Sequence, residues 1–280
     1  MKLTLGFSPC PNDTFIFDAM IHCRIDTEGI EFDYFIADVE ELNSKALNAD
    51  VDITKISFHT YCYAANDYII LDSGGALGFG AGPLLISKCE FDVSTMASKK
   101  IAIPGKYTTA NLLFSIAYPE CRNKKEYLFS DIEDALTTGD ADVGLIIHET
   151  RFTYQKRGLI KIADMGEYWE KLANMPVPLG AIVIKRCIPE DIAQKVNRIL
   201  KRSLEYAINS PEVSFDFIAG NAQEMDREVM KNHISLYVNE FTLSLGGKGR
   251  TAIEKLFAIA TEKKVIPPLP DRIFLVPQQL

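Results

Sequence analysis

No stretch of this chain reaches the ~20 consecutive apolar residues that a helix needs to cross a bilayer, so no membrane partner is expected. Positive charge is also in short supply. Lys and Arg number 30 against 38 Asp and Glu, a net charge of −8, and no basic run offsets that balance. Gripping a phosphate backbone calls for clustered positive charge, so no nucleic-acid partner is expected either. Histidine is scarce: the four residues stand at 22, 59, 148 and 233, scattered rather than at metal-ligand spacing. His148–Glu149 is followed by Thr150–Arg151–Phe152, so the second histidine of a zinc-protease helix is missing and no metal is expected. The six cysteines, at 10, 23, 62, 89, 121 and 187, form no Cys-x-x-Cys pair. The lead before Ser8–Pro9 is too short for the apolar region of a signal peptide, and Cys10 lies too near the start to be a lipoprotein cysteine. Reduced thiols in a cytoplasmic protein are therefore expected.

What the chain does have is a repeat. Residues 2–7 read as a strand, followed by a proline-containing corner, Thr14, and a helical run over 15–21. Residues 100–103 read as a strand, followed by Pro104–Gly105–Lys106–Tyr107, the pair Thr108–Thr109, and a helical run over 110–117. Each copy continues with a second strand, an acidic helix start, a helix ending in Ala-Leu, a turn and a third strand. Strands alternating with helices predict βαβ units and mostly parallel sheets. Two copies predict two α/β lobes, each a mostly parallel sheet flanked by helices. Five glycines fall within 74–82, and a second crossing with two prolines spans 174–180. We therefore expect a first, larger lobe from 1–80 and 180–280 and a second lobe from 81–179. Hinge crossings are expected near 74–83 and 175–180, with the ligand cleft between the lobes. This architecture resembles the type II periplasmic-binding-protein fold. After Pro189 the pattern is helical almost to Pro267.

The glycine motifs fail as nucleotide loops. Gly78-x-Gly80 leads into an apolar strand over 83–87, whereas a dinucleotide fingerprint opens a helix. Residues 244–249 lack the spacing of a P-loop and read as a turn between helices. Cys10, flanked by Pro9 and Pro11 with no base in its local sequence, reads as a packed corner rather than a nucleophile. Asn12, Asp13 and Thr14 are helix-capping types, as are Thr108 and Thr109. Both corners also lie where open α/β sheets bind ligands, at strand carboxyl ends facing helix N-termini, which favour anions. Capping alone and ligand binding both remain open for Thr108–Thr109. His148 ends the apolar run 143–147, at a strand end facing the same crevice. An imidazole there suits general-base work, with a structural role as the alternative. Lys55 or Arg151 could pair with a carboxylate, and a solvated surface role is the alternative for Arg151.

Five segments carry a family resemblance: SPCPNDTFIF at 8–17, TKIS at 54–57, SGGALGFGAGPL at 73–84, PGKYTTA at 104–110 and GLIIHETRFTY at 144–154. Together they resemble the 1,4-dihydroxy-6-naphthoate synthases of the futalosine route to menaquinone. The resemblance is strong from residue 3 to about 185 and weaker through the helical tail. It implies cleavage of cyclic dehypoxanthine futalosine to the dihydroxynaphthoate, with release of a three-carbon fragment and no metal or organic cofactor. It implies His148 as the base, with Lys55, Ile56, Ser57, Thr108 and Thr109 contacting a small aromatic carboxylate substrate. Two rival readings stand beside it: a chorismate dehydratase-like sibling on the same fold, and a non-catalytic cytosolic solute-binding or sensor protein. Oligomeric state is not legible in the sequence.

Overall fold

Eleven strands divide between two sheets in the computed structural model, which describes residues 1–222 and 226–276. The ends of the expected first lobe, 277–280, and residues 223–225 of the expected helical tail lie outside the described residues. The strands are β1 (Lys2–Phe7), β2 (Glu31–Ile36), β3 (Ile53–Ser57), β4 (Tyr68–Ile70), β5 (Ala76–Gly78) and β6 (Leu84–Ser87), then β7 (Ile101–Ile103), β8 (Lys124–Glu126), β9 (Val143–Ile146), β10 (Ile160–Asp164) and β11 (Val177–Lys185). The first sheet runs β2-β1-β3-β11-β4, with β5 on β11, and the second runs β10-β6-β9-β7-β8.

The repeat is visible in this order. β2-β1-β3-β11 in one sheet corresponds to β8-β7-β9-β6 in the other. β1 lies parallel to β2 and β3, as β7 does to β8 and β9. The fourth strand is antiparallel in both cases, β11 on β3 and β6 on β9. This corrects the expectation of mostly parallel sheets. Parallel neighbours need a crossover within one sheet; β6 and β11 instead arrive from the other sheet and run back along their neighbours. β3 and β9 are buried at every residue, as expected of strands covered on both faces.

The two crossings pair with each other: β5 lies antiparallel to β11, with Leu77 opposite Pro178 and Ala76 opposite Gly180. Glycine here serves close approach. A Cβ on Gly82 would stand 2.1 Å from the Gly166 nitrogen, so the two backbones pack directly. Beyond β11, helix Glu190–Asn209 buries Val196, Ile199, Leu200 and Leu204, at helical spacing, in a core shared with Phe15, Ile16 and Met20 of helix Pro11–Ile21. Residues 244–245 join helices Glu240–Leu243 and Gly246–Glu262; the turn expected over 244–249 is shorter, because 246–249 already form the first turn of the second helix. Among the described residues no helix is long and apolar enough to cross a membrane.

The first helix starts earlier than the capping pattern suggested. Cys10 is its N-cap, without a side-chain bond, and Pro11 takes the first helical position, where its fixed φ and missing N–H fit. Asn12, Asp13 and Thr14 therefore sit inside the first turn instead of capping it. The second copy keeps a side-chain cap: Thr108 Oγ1 accepts from the Asn111 amide, 3.3 Å away, at the start of helix Thr109–Ala117.

Helix Phe58–Ala64 of the first sheet reaches across to this second corner. His59 Nδ1–H donates to the Thr108 carbonyl at 3.2 Å, and Thr60 Oγ1 donates to the Tyr107 carbonyl at 3.0 Å. Burial pushes the His59 pKa down to about 4, from an ordinary value near 6.5. The folded state therefore keeps this ring neutral while the unfolded chain takes up a proton, so His59 contributes stability that is full above pH ~6.5 and falls as pH drops toward ~4. The loss of unfolding free energy between pH 7 and pH 5 should be smaller in His59→Asn than in the parent chain. Equal losses in urea titrations would contradict this reading.

Candidate active site

A cavity of about 100 Å³ lies where the carboxyl ends of β1, β3, β7 and β9 converge, walled on one side by the crossings. All six expected positions, Lys55, Ile56, Ser57, Thr108, Thr109 and His148, line it. So do Asn12 and Asp13 of the first corner, Arg151, and His233 and Tyr237 of helix Arg227–Tyr237, the last two of which sequence reasoning missed.

Lys55 is 7% exposed, and its ammonium lies 2.8 Å from Asp13 Oδ1. Asp13 also accepts from Ser8 Oγ at 2.7 Å, the Ser8 amide at 3.3 Å and Asn12 Nδ2 at 2.8 Å. The charge of Lys55 is thus already matched within the protein. Arg151 is likewise occupied rather than surface-solvated: it pairs with Asp164 at 2.9 Å and donates to the Gly82 carbonyl. Asp164 Oδ1 caps helix Met165–Ala173 through the Gly166 and Glu167 amides, so Arg151 ties the crossing to that helix.

The donors at the second corner differ from those expected. Thr108 Oγ1 donates to the Gly105 carbonyl at 2.9 Å, and Thr109 Oγ1 donates to the Leu179 carbonyl at 2.5 Å. Both hydroxyl protons are taken. What this corner offers an anion is backbone: the first N–H groups of the helix, on Thr109 and Ala110, have no carbonyl of their own helix within reach. Ser57 retains a donor. Its hydroxyl accepts from Asn43 Nδ2 at 3.3 Å and its amide donates to Asn43 Oδ1 at 3.0 Å, which leaves the O–H proton to point elsewhere.

His148 stands two residues past β9 with φ +57°, in the left-handed region that non-glycine residues rarely occupy. Its Nδ1 lies 3.1 Å from Cys10 Sγ, a contact across 138 residues and between the two sheets. Phe129 meets the ring edge-on at 4.9 Å, and His233 stacks at 6.4 Å with an interplanar angle of 23°. His148 Nε2 is buried and has no hydrogen-bond partner among the described residues. Burial, reinforced by the negative charges of Glu149 and Asp13, pushes the Cys10 thiol well up, so it stays protonated and is a poor nucleophile. The local sequence offered Cys10 no partner; the fold brings His148 Nδ1 to it, and the thiol serves as a weak hydrogen-bonding partner. Cys10, His148 and Glu149 also hold ligand atoms within 4.8 Å of one another, the one such group among the described residues. A metal there would have to displace the thiol proton.

The site's frame has known relatives. A family model described as menaquinone biosynthesis matches residues 3–262. The chain belongs to that family. It is 38% identical over 273 residues to a 1,4-dihydroxy-6-naphthoate synthase of Thermus thermophilus, covering 98% of this chain and 99% of the relative. It is 39% identical over 277 residues to the enzyme of that name from Streptomyces coelicolor, covering 97% of each. Among solved structures, a protein of Archaeoglobus fulgidus superposes with a TM-score of 0.90 at 34% identity, over 95% of this chain and 98% of that one. The ligand-binding component of a Staphylococcus aureus import system, at 13% identity, superposes with a TM-score of 0.73 over 99% and 97% of the two chains, a likeness of fold alone. This member of the menaquinone family thus has the two-lobed, periplasmic-binding-protein-like α/β fold that the repeat implied.

The buried Lys55–Asp13 pair gives a direct test of the site's construction. Lys55→Met strands a buried carboxylate and should cost about 3–5 kcal/mol. Adding Asp13→Asn removes that charge and should restore part of the loss. Urea midpoints read both, and a double variant no more stable than Lys55→Met would contradict the pairing.

Proposed function

We propose that this chain cleaves cyclic dehypoxanthine futalosine to 1,4-dihydroxy-6-naphthoate, releasing a three-carbon fragment, with His148 as general base and no cofactor. The observation that carries this is the geometry of His148: a half-buried imidazole lining the cavity, in contact at Nδ1 with Cys10 and without a partner at Nε2 among the described residues. With the Nδ1 hydrogen directed at the sulfur, Nε2 holds a bare lone pair. The names of the relatives, matched over nearly their whole length, support the product.

In this reading the aromatic carboxylate meets the Thr109 and Ala110 amides at the helix start and the Ser57 hydroxyl, while Lys55 sets the local field without a free valence for the anion. His148 takes a proton from a hydroxyl or acidic carbon of the sugar-derived ring. Carbon–carbon cleavage in the retro-aldol sense follows, and the electron pair passes into the ring that becomes aromatic. The surrounding apolar wall of Ile56, Ile147 and Leu179 keeps water from the intermediate.

Incubating the purified protein with this substrate and following product by mass spectrometry tests the proposal. Recovery of unchanged substrate from a stable complex would support a binding protein instead, and conversion of chorismate would support the sibling enzyme. Turnover should survive exhaustive chelation. His148→Asn, which keeps size and hydrogen bonding but accepts no proton near neutrality, should lower kcat by ~10²–10⁴ with KM within a small factor. A folded variant with near-native kcat would remove His148 from the mechanism.

A cavity of about 100 Å³ is small beside the ~300–1,000 Å³ of sites for comparable ligands, so substrate entry requires opening. We assign that motion to rotation of lobe 81–179 against 1–80 and 180–280, with bending near 74–83 and 175–180 outside the paired β5–β11 segments. Opening would break the bonds from His59, Thr60 and Cys10 across the cleft. Small-angle scattering should give a larger radius of gyration for the free protein than with product bound; identical profiles would indicate a rigid clamp.

A further inference from the structure

His233 was a scattered histidine in a helical tail, yet it enters the cavity as a second imidazole, facing His148 at 6.4 Å. We propose that His233 is a fixed hydrogen-bond acceptor for a hydroxyl group of the substrate, its lone pair held at Nδ1 by a chain of buried groups that begins at Lys55. The proposal builds on the lyase reading above and adds to it a residue that recognises the hydroxylated part of the substrate.

The chain of hydrogen bonds has only one direction. An ammonium has no acceptor, so Lys55 Nζ donates to Asp13 Oδ1 at 2.8 Å. The carboxylate oxygen can only accept again, so the group 2.8 Å from it on Asn12 is the amide nitrogen. That orientation turns Asn12 Oδ1 toward His233 Nε2, also at 2.8 Å. A carbonyl oxygen accepts, so Nε2 carries the ring hydrogen. A neutral imidazole has one N–H, which leaves Nδ1 bare.

Nδ1 is buried in a residue 1% exposed and has no hydrogen-bond partner among the described residues. A buried acceptor left unmade is costly to the fold, and a ligand hydroxyl entering this cavity would satisfy it. Burial, together with the nearby His148 and Lys55, drives the His233 pKa well below its ordinary value, so the ring stays neutral and keeps the acceptor. His233 is thereby distinguished from His148: its Nε2 is committed to Asn12, whereas His148 Nε2 is unpaired. A site that binds a hydroxyl in this way discriminates strongly against an analogue lacking it.

Two substitutions separate this role from mere support of Asn12. Glutamine reaches the Nε2 position and can still donate to Asn12, but puts nothing at Nδ1. Asparagine puts a carbonyl near the Nδ1 position and gives up the bond to Asn12. With cyclic dehypoxanthine futalosine as substrate, both variants should lose kcat/KM, and His233→Asn should stand about tenfold or more above His233→Gln. A purely structural role predicts the reverse order, so a glutamine variant equal to or better than the asparagine variant overturns the proposal. Nitrogen-15 NMR of histidine-labelled parent protein reads the tautomer without substrate and without a variant that must fold. Hydrogen on Nε2 alone is expected, and hydrogen on Nδ1 overturns the assignment. A parent protein that leaves the substrate unchanged would defeat the lyase reading, and the NMR result would still decide the state of His233.

Discussion

A lysine and an aspartate held out of water set the geometry of this site. Lys55 stands in the middle of β3 and Asp13 in the first turn of the helix that follows β1, so their pairing locks that helix start to the neighbouring strand. Neither charge is tolerable alone at this depth. The carboxylate has more accepting capacity than one ammonium fills, and it uses the rest to hold Ser8 and to orient Asn12. Through Asn12 the same pair reaches His233 on a helix 221 residues away in sequence. The stiff corner of Pro9, Cys10 and Pro11 is thus one wall of a preorganised cavity. Its rigidity is set by this network as much as by its prolines.

The second wall is built differently. There the polar side chains serve the backbone: Thr108 closes its own helix start, Thr109 tethers that start to β11, and Arg151 and Asp164 fasten the crossing. Free donors at this wall are therefore main-chain groups, suited to an anion, beside the His148 imidazole, while the opposite wall presents His233. Cys10 joins the walls through His148, and its protonated thiol makes it a partner for the ring rather than a rival to it.

The repeat was legible because strand, corner and helix starts are local patterns, and the order β2-β1-β3 and β8-β7-β9 follows from them. The corner and strand-end patterns pointed to Thr108, Thr109 and His148, the family resemblance added Lys55 and Ser57, and the fold brings all five to one cavity. What local pattern could not carry was anything decided by distant partners. The antiparallel β6 and β11 depend on crossings between sheets. The start of the first helix depends on Pro11 outweighing three better capping residues. The occupied hydroxyls of Thr108 and Thr109, the fastening of Arg151 and the contact of Cys10 with His148 all require tertiary neighbours. His233 had only one trace in sequence, its i,i+4 spacing to Tyr237 on a helical face, and both residues line the cavity.

The measurement that bears most directly on this account is a crystal structure of the protein with 1,4-dihydroxy-6-naphthoate bound. The account predicts the carboxylate at the Thr109 and Ala110 amides and Ser57 hydroxyl, the ring against Ile56 and Leu179, and the dihydroxy edge toward His148 and His233. A ligand with its carboxylate turned to the imidazoles, or bound outside the cavity altogether, would contradict it.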